Sequence, residues 1–214
     1  GKIIVGGAFT TFNGINCSDF LVRLTTGGTL DTSFNTGGVG FNNNFVISLK
    51  SQTDGKILVC GNFTTYNGVS CPDRLVRLND DGTIDTAFNS GGAGFADNIV
   101  FDVLIQPDGK ILVCGNFTAY NGINTNGIIR LNSNGTIDST FVISGTGFNS
   151  VTRSLELQSD GKILVGGFFT TYNGTPADRI IRLNSDGSID TYTNKKVLLN
   201  GSGLLRHEDK YHKY

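Results

Sequence analysis

The feature that most constrains this chain is that it writes one stretch four times. Gly55 to Phe88, GKILVCGNFTTYNGVSCPDRLVRLNDDGTIDTAF, has a counterpart before it and two after it. A Gly-Lys pair recurs at Gly1, Gly55, Gly109 and Gly161, at intervals of 54, 54 and 52 residues. An Arg-Leu pair recurs at Arg23, Arg77, Arg130 and Arg182, at intervals of 54, 53 and 52. Near-constant spacing of this size means one supersecondary unit copied, with the slack absorbed in loops.

Each unit reads as four strands. In the third copy these are Val100 to Ile105, Lys110 to Phe117, Gly127 to Leu131 and Thr136 to Phe141. The second is apolar at nearly every position, as expected of a strand covered on both faces. Turn residues separate them: Gln106-Pro107-Asp108-Gly109, then Tyr120-Asn121-Gly122, where Asn-Gly is a strong tight-turn signal, then Asn132-Ser133-Asn134-Gly135. Four antiparallel strands per copy, with no helical period between them, predict an all-β chain, a β-propeller of four repeats of about 53 residues. The blade copies start near Gly1, Val46, Val100 and Val151, residues 1–203 form the propeller, and 204–214 are a charged tail.

The last hairpin of each unit can be registered from its own residues. A three-residue loop with Gly82 left-handed pairs Asn79 with Thr83, Leu78 with Ile84 and Arg77 with Asp85. The same offset joins Arg23 to Asp31, Arg130 to Asp138 and Arg182 to Asp190. A cross-strand ion pair copied into every unit is expected to be structural.

The ends differ from the middle. The first copy begins without a first strand, and the fourth loses its pattern after Asp190, where Thr193 stands in place of Phe34, Phe88 and Phe141. Val197-Leu-Leu-Asn-Gly-Ser-Gly203 nevertheless matches Val103 to Gly109 in character. Residues 197–200 could therefore supply the strand missing from the first blade and close a four-bladed ring, which would remove open edges. The other reading is a piece of a larger ring or array.

The motif Gln-Pro-Asp-Gly-Lys-Ile-Leu-Val-x-Gly-x-Phe, followed by Arg-Leu-Asn-x-x-Gly-x-Ile-Asp-x-x-Phe and Gly-x-Gly-Phe, resembles the delta-60 repeat of bacterial β-propellers over roughly Gly1 to Asp190. The resemblance implies a propeller on the outside of a cell or particle, since such repeats occur in large secreted or surface proteins and in phage particle proteins. It carries no catalytic residues to transfer. This chain departs from it after Asp190 and at Cys60 and Cys114, where that family usually has Gly.

Composition narrows the function classes. Seventeen Lys and Arg balance eighteen Asp and Glu, which argues against nucleic acid as a partner, and no apolar run approaches the ~20 residues of a membrane span. Cys17, Cys60, Cys71 and Cys114 form no CxxC pair and are expected to be free thiols. The repeated body contains no His, which removes the commonest general base, and both His207 and His212 fall in the tail. The Asp-Gly and Asn-x-x-Gly sites are turn chemistry rather than calcium loops, which need six to eight converging oxygens. No catalytic residue, cofactor or metal is therefore expected. Asp19, Asp73, Asp97, Asp102, Glu156 and Asp178 are the carboxylates before the tail with no structural assignment.

Specificity is expected where the copies differ, in the loops Gly14 to Phe20, Gly68 to Arg74, Gly122 to Gly127 and Gly174 to Arg179. Tyr66, Tyr120 and Tyr172, with Phe12 in the first copy, stand beside those loops. Together with Asp19, Asp73 and Asp178 they are the candidate ligand or partner face, with blade sealing as the aromatics' other role. The expected function is a non-enzymatic binding or structural module of an extracellular surface assembly or virus particle, contacting proteins or glycans. The alternative is a glycan hydrolase or lyase with its site at the propeller mouth, built from paired carboxylates.

Overall fold

A computed structural model describes residues 1–18, 20–42, 45–71, 74–95, 99–141 and 145–191. The first unit contains β1 (Ile3–Gly6), β2 (Thr11–Phe12), β3 (Ile15–Asn16) and β4 (Leu21–Leu24), and β5 (Phe41–Asn42) links it onward. The second holds β6 (Val46–Ser51), β7 (Ile57–Gly61), β8 (Thr65–Tyr66), β9 (Val69–Ser70) and β10 (Leu75–Leu78). The third holds β11 (Val100–Ile105), β12 (Ile111–Gly115), β13 (Ala119–Tyr120), β14 (Ile123–Asn124) and β15 (Ile128–Leu131). The fourth holds β16 (Thr152–Leu157), β17 (Ile163–Gly167), β18 (Thr171–Tyr172), β19 (Thr175–Pro176) and β20 (Ile180–Leu183).

The chain is all-β, an antiparallel sheet repeated in four units, with two strands, β1-β4, in the first and three in each of the others among the described residues. In the second unit the order is β6-β7-β10, and the third and fourth repeat it as β11-β12-β15 and β16-β17-β20. The fourth strand expected in each unit is present as a single bridge, Leu24 to Leu30, Leu78 to Ile84, Leu131 to Ile137 and Leu183 to Ile189. The registers match the expectation from the turn: Asn79 donates its amide to the Thr83 carbonyl at 2.8 Å, and Asp85 donates to Arg77 at 2.9 Å. The loop after the second strand folds into its own two-residue hairpin, with Asn121 (φ 48°) and Gly122 (φ 78°) at the turn. Both central residues are left-handed, which is why Asn-Gly stands there.

The sheets of the second and third units have two covered faces, and alternation along the strands sorts side chains between them. Leu58, Cys60, Leu75 and Phe88 of the second unit pack against Val100, Val103, Ile111, Val113 and Ile129 of the third. Leu112, Cys114, Ile128 and Phe141 of the third pack in turn against Leu155, Ile163, Val165 and Ile181 of the fourth. Every unit thus offers a trailing face to the unit after it and a leading face to the unit before it. That double covering explains why β7 and β12 are buried at all five positions.

Packing runs from β1 to β6, from β6 to β11 and from β11 to β16. The segment expected to close a ring, 197–200, lies outside the described residues, as do the tail 204–214, His207, His212 and Thr193. The faces that closure would join are exposed in the described residues: Ile3 of β1 at 50% and Ile180 of β20 at 52%.

Candidate functional site

The repeated polar residues form a built-in clamp. Arg77 Nε donates to Asp85 Oδ2 at 2.7 Å, and Lys56 Nζ reaches the same oxygen at 2.6 Å. Arg23, Asp31 and Lys2 make the same triad, as do Arg130, Asp138 and Lys110, and Arg182, Asp190 and Lys162. The arginine plane also lies over a ring, 4.8 Å from Phe34, 4.7 Å from Phe88 and 4.9 Å from Phe141 for Arg23, Arg77 and Arg130. Its remaining nitrogen crosses to the next unit: Arg23 Nη1 donates to the Asp80 carbonyl, Arg77 to Ser133 and Arg130 to Ser185. The expected ion pairs are therefore present, and they join units as well as strands.

These contacts hold the Asp31, Asp85 and Asp138 carboxylates ionised. At Asp31 the Lys2 ammonium and the Ser33 hydroxyl push the carboxyl far below the usual aspartate range. At Asp85 burial works against ionisation, but Lys56, the Ala87 amide and Arg77 outweigh it. Asp138 is likewise lowered against burial, by the Thr140 hydroxyl and amide, Lys110 and Arg130. The lysine was not read as part of the clamp from the sequence. Its signal was the fixed recurrence of Lys2, Lys56, Lys110 and Lys162 after each turn glycine.

Of the two roles expected of the tyrosines, ligand face and blade seal, the structure shows the seal and not the face. Tyr66, Tyr120 and Tyr172 are interior, at 0%, 1% and 2% exposure. The link from the preceding unit lays a strand against each one: β5 pairs with β8, and Phe95 and Phe148 bridge to Tyr120 and Tyr172. The tyrosine ring packs on that link's Phe, with centroids 4.6 Å apart for Phe41 and Tyr66, and its hydroxyl donates to the turn glycine carbonyl, Tyr66 to Gly82 at 2.8 Å. Burial drives the tyrosine hydroxyls up, that of Tyr172 to about 12. They seal units and cannot contact a ligand in this arrangement. Phe12 alone of the four stays partly exposed, because among the described residues no link strand lies beside the two-stranded sheet of β2 and β3.

Of the three candidate carboxylates, Asp19 and Asp73 lie outside the described residues. Asp178 is exposed at the surface, paired with Arg179 at 2.9 Å. Asp102 acquires a structural role, accepting from the Ser48 hydroxyl at 2.9 Å and the Leu155 amide at 3.0 Å, so one carboxylate ties the second, third and fourth units.

What the loops do present is a groove. In the first unit a cavity of 490 Å³ lies between β3 and the stretch after the clamp, lined by Ile15, Cys17, Arg23, Phe34, Asn35 and Val39. The second unit repeats it at 220 Å³ with Val69, Cys71, Arg77, Phe88 and Asn89. Its lip carries an exposed apolar side chain just after the Asn-Gly turn, Ile15 at 59% and Val69 at 56%, and Ile123 occupies the same place at 54%. The sequence signal was an Ile or Val directly after Asn-Gly in three copies, with Thr175 in the fourth. No disulfide joins the four cysteines, and burial pushes the Cys60 and Cys114 thiols up, away from reactive thiolate. Among the described residues no group of three or more His, Cys, Asp or Glu could hold a metal ion, and no helix is long and apolar enough to cross a membrane.

Copied antiparallel sheets stacked face to face, each clamped to the next, define a β-propeller repeat protein. A protein-family model described as a domain of unknown function (DUF5122) beta-propeller matches residues 1–34, 52–88, 106–141 and 158–191, and the chain belongs to that family. No functionally curated protein matches it. A solved crystal structure of a protein of unknown function from Bacteroides caccae is similar at 12% identity, over 79% of this chain and 73% of that one, with a TM-score of 0.30.

Proposed function

We propose that this chain is a non-enzymatic propeller of the delta-60 type, serving as a binding or structural module in an extracellular surface assembly or virus particle. Its partners are proteins or glycans, met through the variable hairpins. The observation that carries this reading is the lip of Ile15, Val69 and Ile123. Those side chains are exposed at one repeated position, while the repeated polar residues around them are engaged in clamps and turns. A repeated apolar lip beside a groove suits contact by shape and burial rather than bond-making chemistry.

The test is a glycan array and pull-down on surface or particle proteins, run with the parent chain and with a triple Ile15→Ser, Val69→Ser, Ile123→Ser variant. Binding that falls at least tenfold in the variant, with an unchanged melting temperature, supports the reading. Polysaccharide turnover abolished by Glu156→Gln or Asp178→Asn would replace it with a carbohydrate-active enzyme.

A further inference from the structure

The first sheet strands of the second, third and fourth units each carry one residue more than the strand they pair with. The register of β6 on β7 slips between Val46 and Ser48, that of β11 on β12 between Val100 and Asp102, and that of β16 on β17 between Thr152 and Ser154. A bulge leaves its extra residue out of the ladder and re-aims the side chain. Those residues are Ile47, Phe101 and Arg153, one repeat position with three chemistries. The residue after the second strand's last glycine varies in the same way: Ala8, Asn62, Asn116 and Phe168. Both positions stay open inside the array. Ile47 is 37% exposed and Asn116 is exposed although a unit stands on either side of each.

At the junction of the third and fourth units the two variable positions meet. The Arg153 guanidinium lies 4.0 Å from the centroid of the Phe101 ring and 5.3 Å from that of Phe168, which is 59% exposed. Every other arginine among the described residues donates to an oxygen, whereas Arg153 touches these rings and no hydrogen-bond acceptor. Phe101 takes up its flat face and leaves its N–H edge for a planar anion, the geometry in which a guanidinium binds a carboxylate through two parallel bonds. The Gly115 amide donates to the Thr152 hydroxyl at 2.9 Å, and Gly115 also pairs with Val100, so Arg153 and Phe101 flank the chain at Gly115 and Asn116. A cavity of 320 Å³ begins there, between the third unit and the link to the fourth, with Asn116, Thr118 and Ser150 in its walls. Those three residues are exposed, and their side chains make no hydrogen bond among the described residues. An amide and two hydroxyls both donate and accept, as sugar hydroxyls do.

We propose that this junction binds a carboxylate-bearing glycan. One uronic-acid residue seats its carboxylate on Arg153 and an apolar pyranose face against Phe168, and the hydroxyls of the adjoining sugar meet Asn116, Thr118 and Ser150. The unpaired cation selects an acid over a neutral sugar. The amide and hydroxyls select a polyhydroxylated body over an acidic peptide, whose carboxylates would leave the donors and acceptors of the cavity unmatched. The chain holds one such site, because the same place between the second and third units carries Ile47, Phe101 and Asn116 and no cation. The site is separate from the lip of Ile15, Val69 and Ile123, so it stands or falls independently of what the hairpins bind.

The experiment is isothermal titration calorimetry of the full chain with short oligomers of galacturonate, glucuronate and mannuronate, with their methyl esters, and with an oligoglutamate peptide. The expected result is binding of at least one acid oligomer at one site per chain. Its methyl ester, which keeps the rings and loses the charge, should bind about tenfold more weakly or worse. Arg153→Gln should lose a similar factor, and Arg153→Lys less, because an ammonium keeps the charge but not the fork. Phe168→Asn, which writes the third unit's residue into the fourth, should weaken binding about fivefold. Arg153 and Phe168 are both exposed, and the melting temperature checks the fold of each variant. The triple lip variant should bind the oligomer as the parent does. A parent that binds none of the three acids, an ester that binds as well as its acid, or an Arg153→Gln chain that binds like the parent would overturn the proposal. Oligoglutamate bound more tightly than the sugars would overturn it in favour of an acidic protein partner.

Discussion

The third and fourth units are written with nearly the same residues and end up in different environments. In β15 the four residues Ile128–Leu131 are all buried, while in β20 Ile180 is exposed and Arg182 partly so. The arginine shows the consequence most directly. Arg130, with 8% of its side chain exposed, holds Asp138, lies over Phe141 and crosses to Ser185, whereas Arg182 reaches Asp190 and Gln158 within its own unit. An ion pair is therefore worth what its surroundings make it worth, and a repeat protein varies those surroundings along an almost constant sequence.

The largest expected effect comes from removing the arginine in each setting. Arg130→Met leaves Asp138 buried with only lysine to pair it and should cost about 3–5 kcal/mol, while Arg182→Met, at a more open clamp, should cost about 1 kcal/mol, both read from urea midpoints. Equal losses would break the comparison. Next is the turn glycine. Gly135→Ala places a methyl against the Asn89 backbone at φ 87° and should cost several kcal/mol, whereas Gly28→Ala, at φ 78° with open space, should cost only the ~1–2 kcal/mol of a left-handed residue. Tyr120→Phe removes the buried bond to the Gly135 carbonyl and should cost about 1–2 kcal/mol, where Phe12→Tyr in the first unit should change stability by under about 1 kcal/mol.

The smallest effects are those of pH, and they sharpen the same contrast. Asp85 and Asp138 have folded values below the ordinary aspartate value of 3.8, so their contribution is complete above that value and is lost as pH falls through the lowered folded values. Replacing Lys110 and Lys56 with Met should therefore move the acid midpoint of unfolding upward by a few tenths of a pH unit. The tyrosines run the other way. Raised from 10 to about 12, Tyr172 contributes stability present below pH 10 and lost as pH rises through 12, so Tyr172→Phe should flatten the alkaline limb of a stability profile. An unchanged alkaline limb would show that the hydroxyl is not held in the interior.

Much of the fold was legible because its signals are local. The Arg-to-Asp register follows from one turn, where a left-handed Gly82 fixes the pairing of Asn79 with Thr83 and everything outward of it. The apolar second strands, read as doubly covered, are β7 and β12. The lysine of the clamp escaped notice because its aspartate lies across the sheet, beyond the reach of any short-range rule. Choosing between the two roles read for the tyrosines, ligand face and blade seal, needed a contact between units: Tyr66 is covered by Phe41, which belongs to the preceding unit's link. The groove lip needed the hairpin geometry that turns Ile15, Val69 and Ile123 outward.

The sequence by itself determined the unit: its length, its strands, its turns and the ion pair within it, because each depends on backbone preference and alternation over a few residues. Only the tertiary structure decided which copies of the same residue are buried. Ile128 and Ile180 occupy one repeat position, and the difference between 2% and 52% exposure is whether another sheet packs against it. Burial in a stacked array is a property of neighbours, and so is the strength of every clamp that burial shields from water.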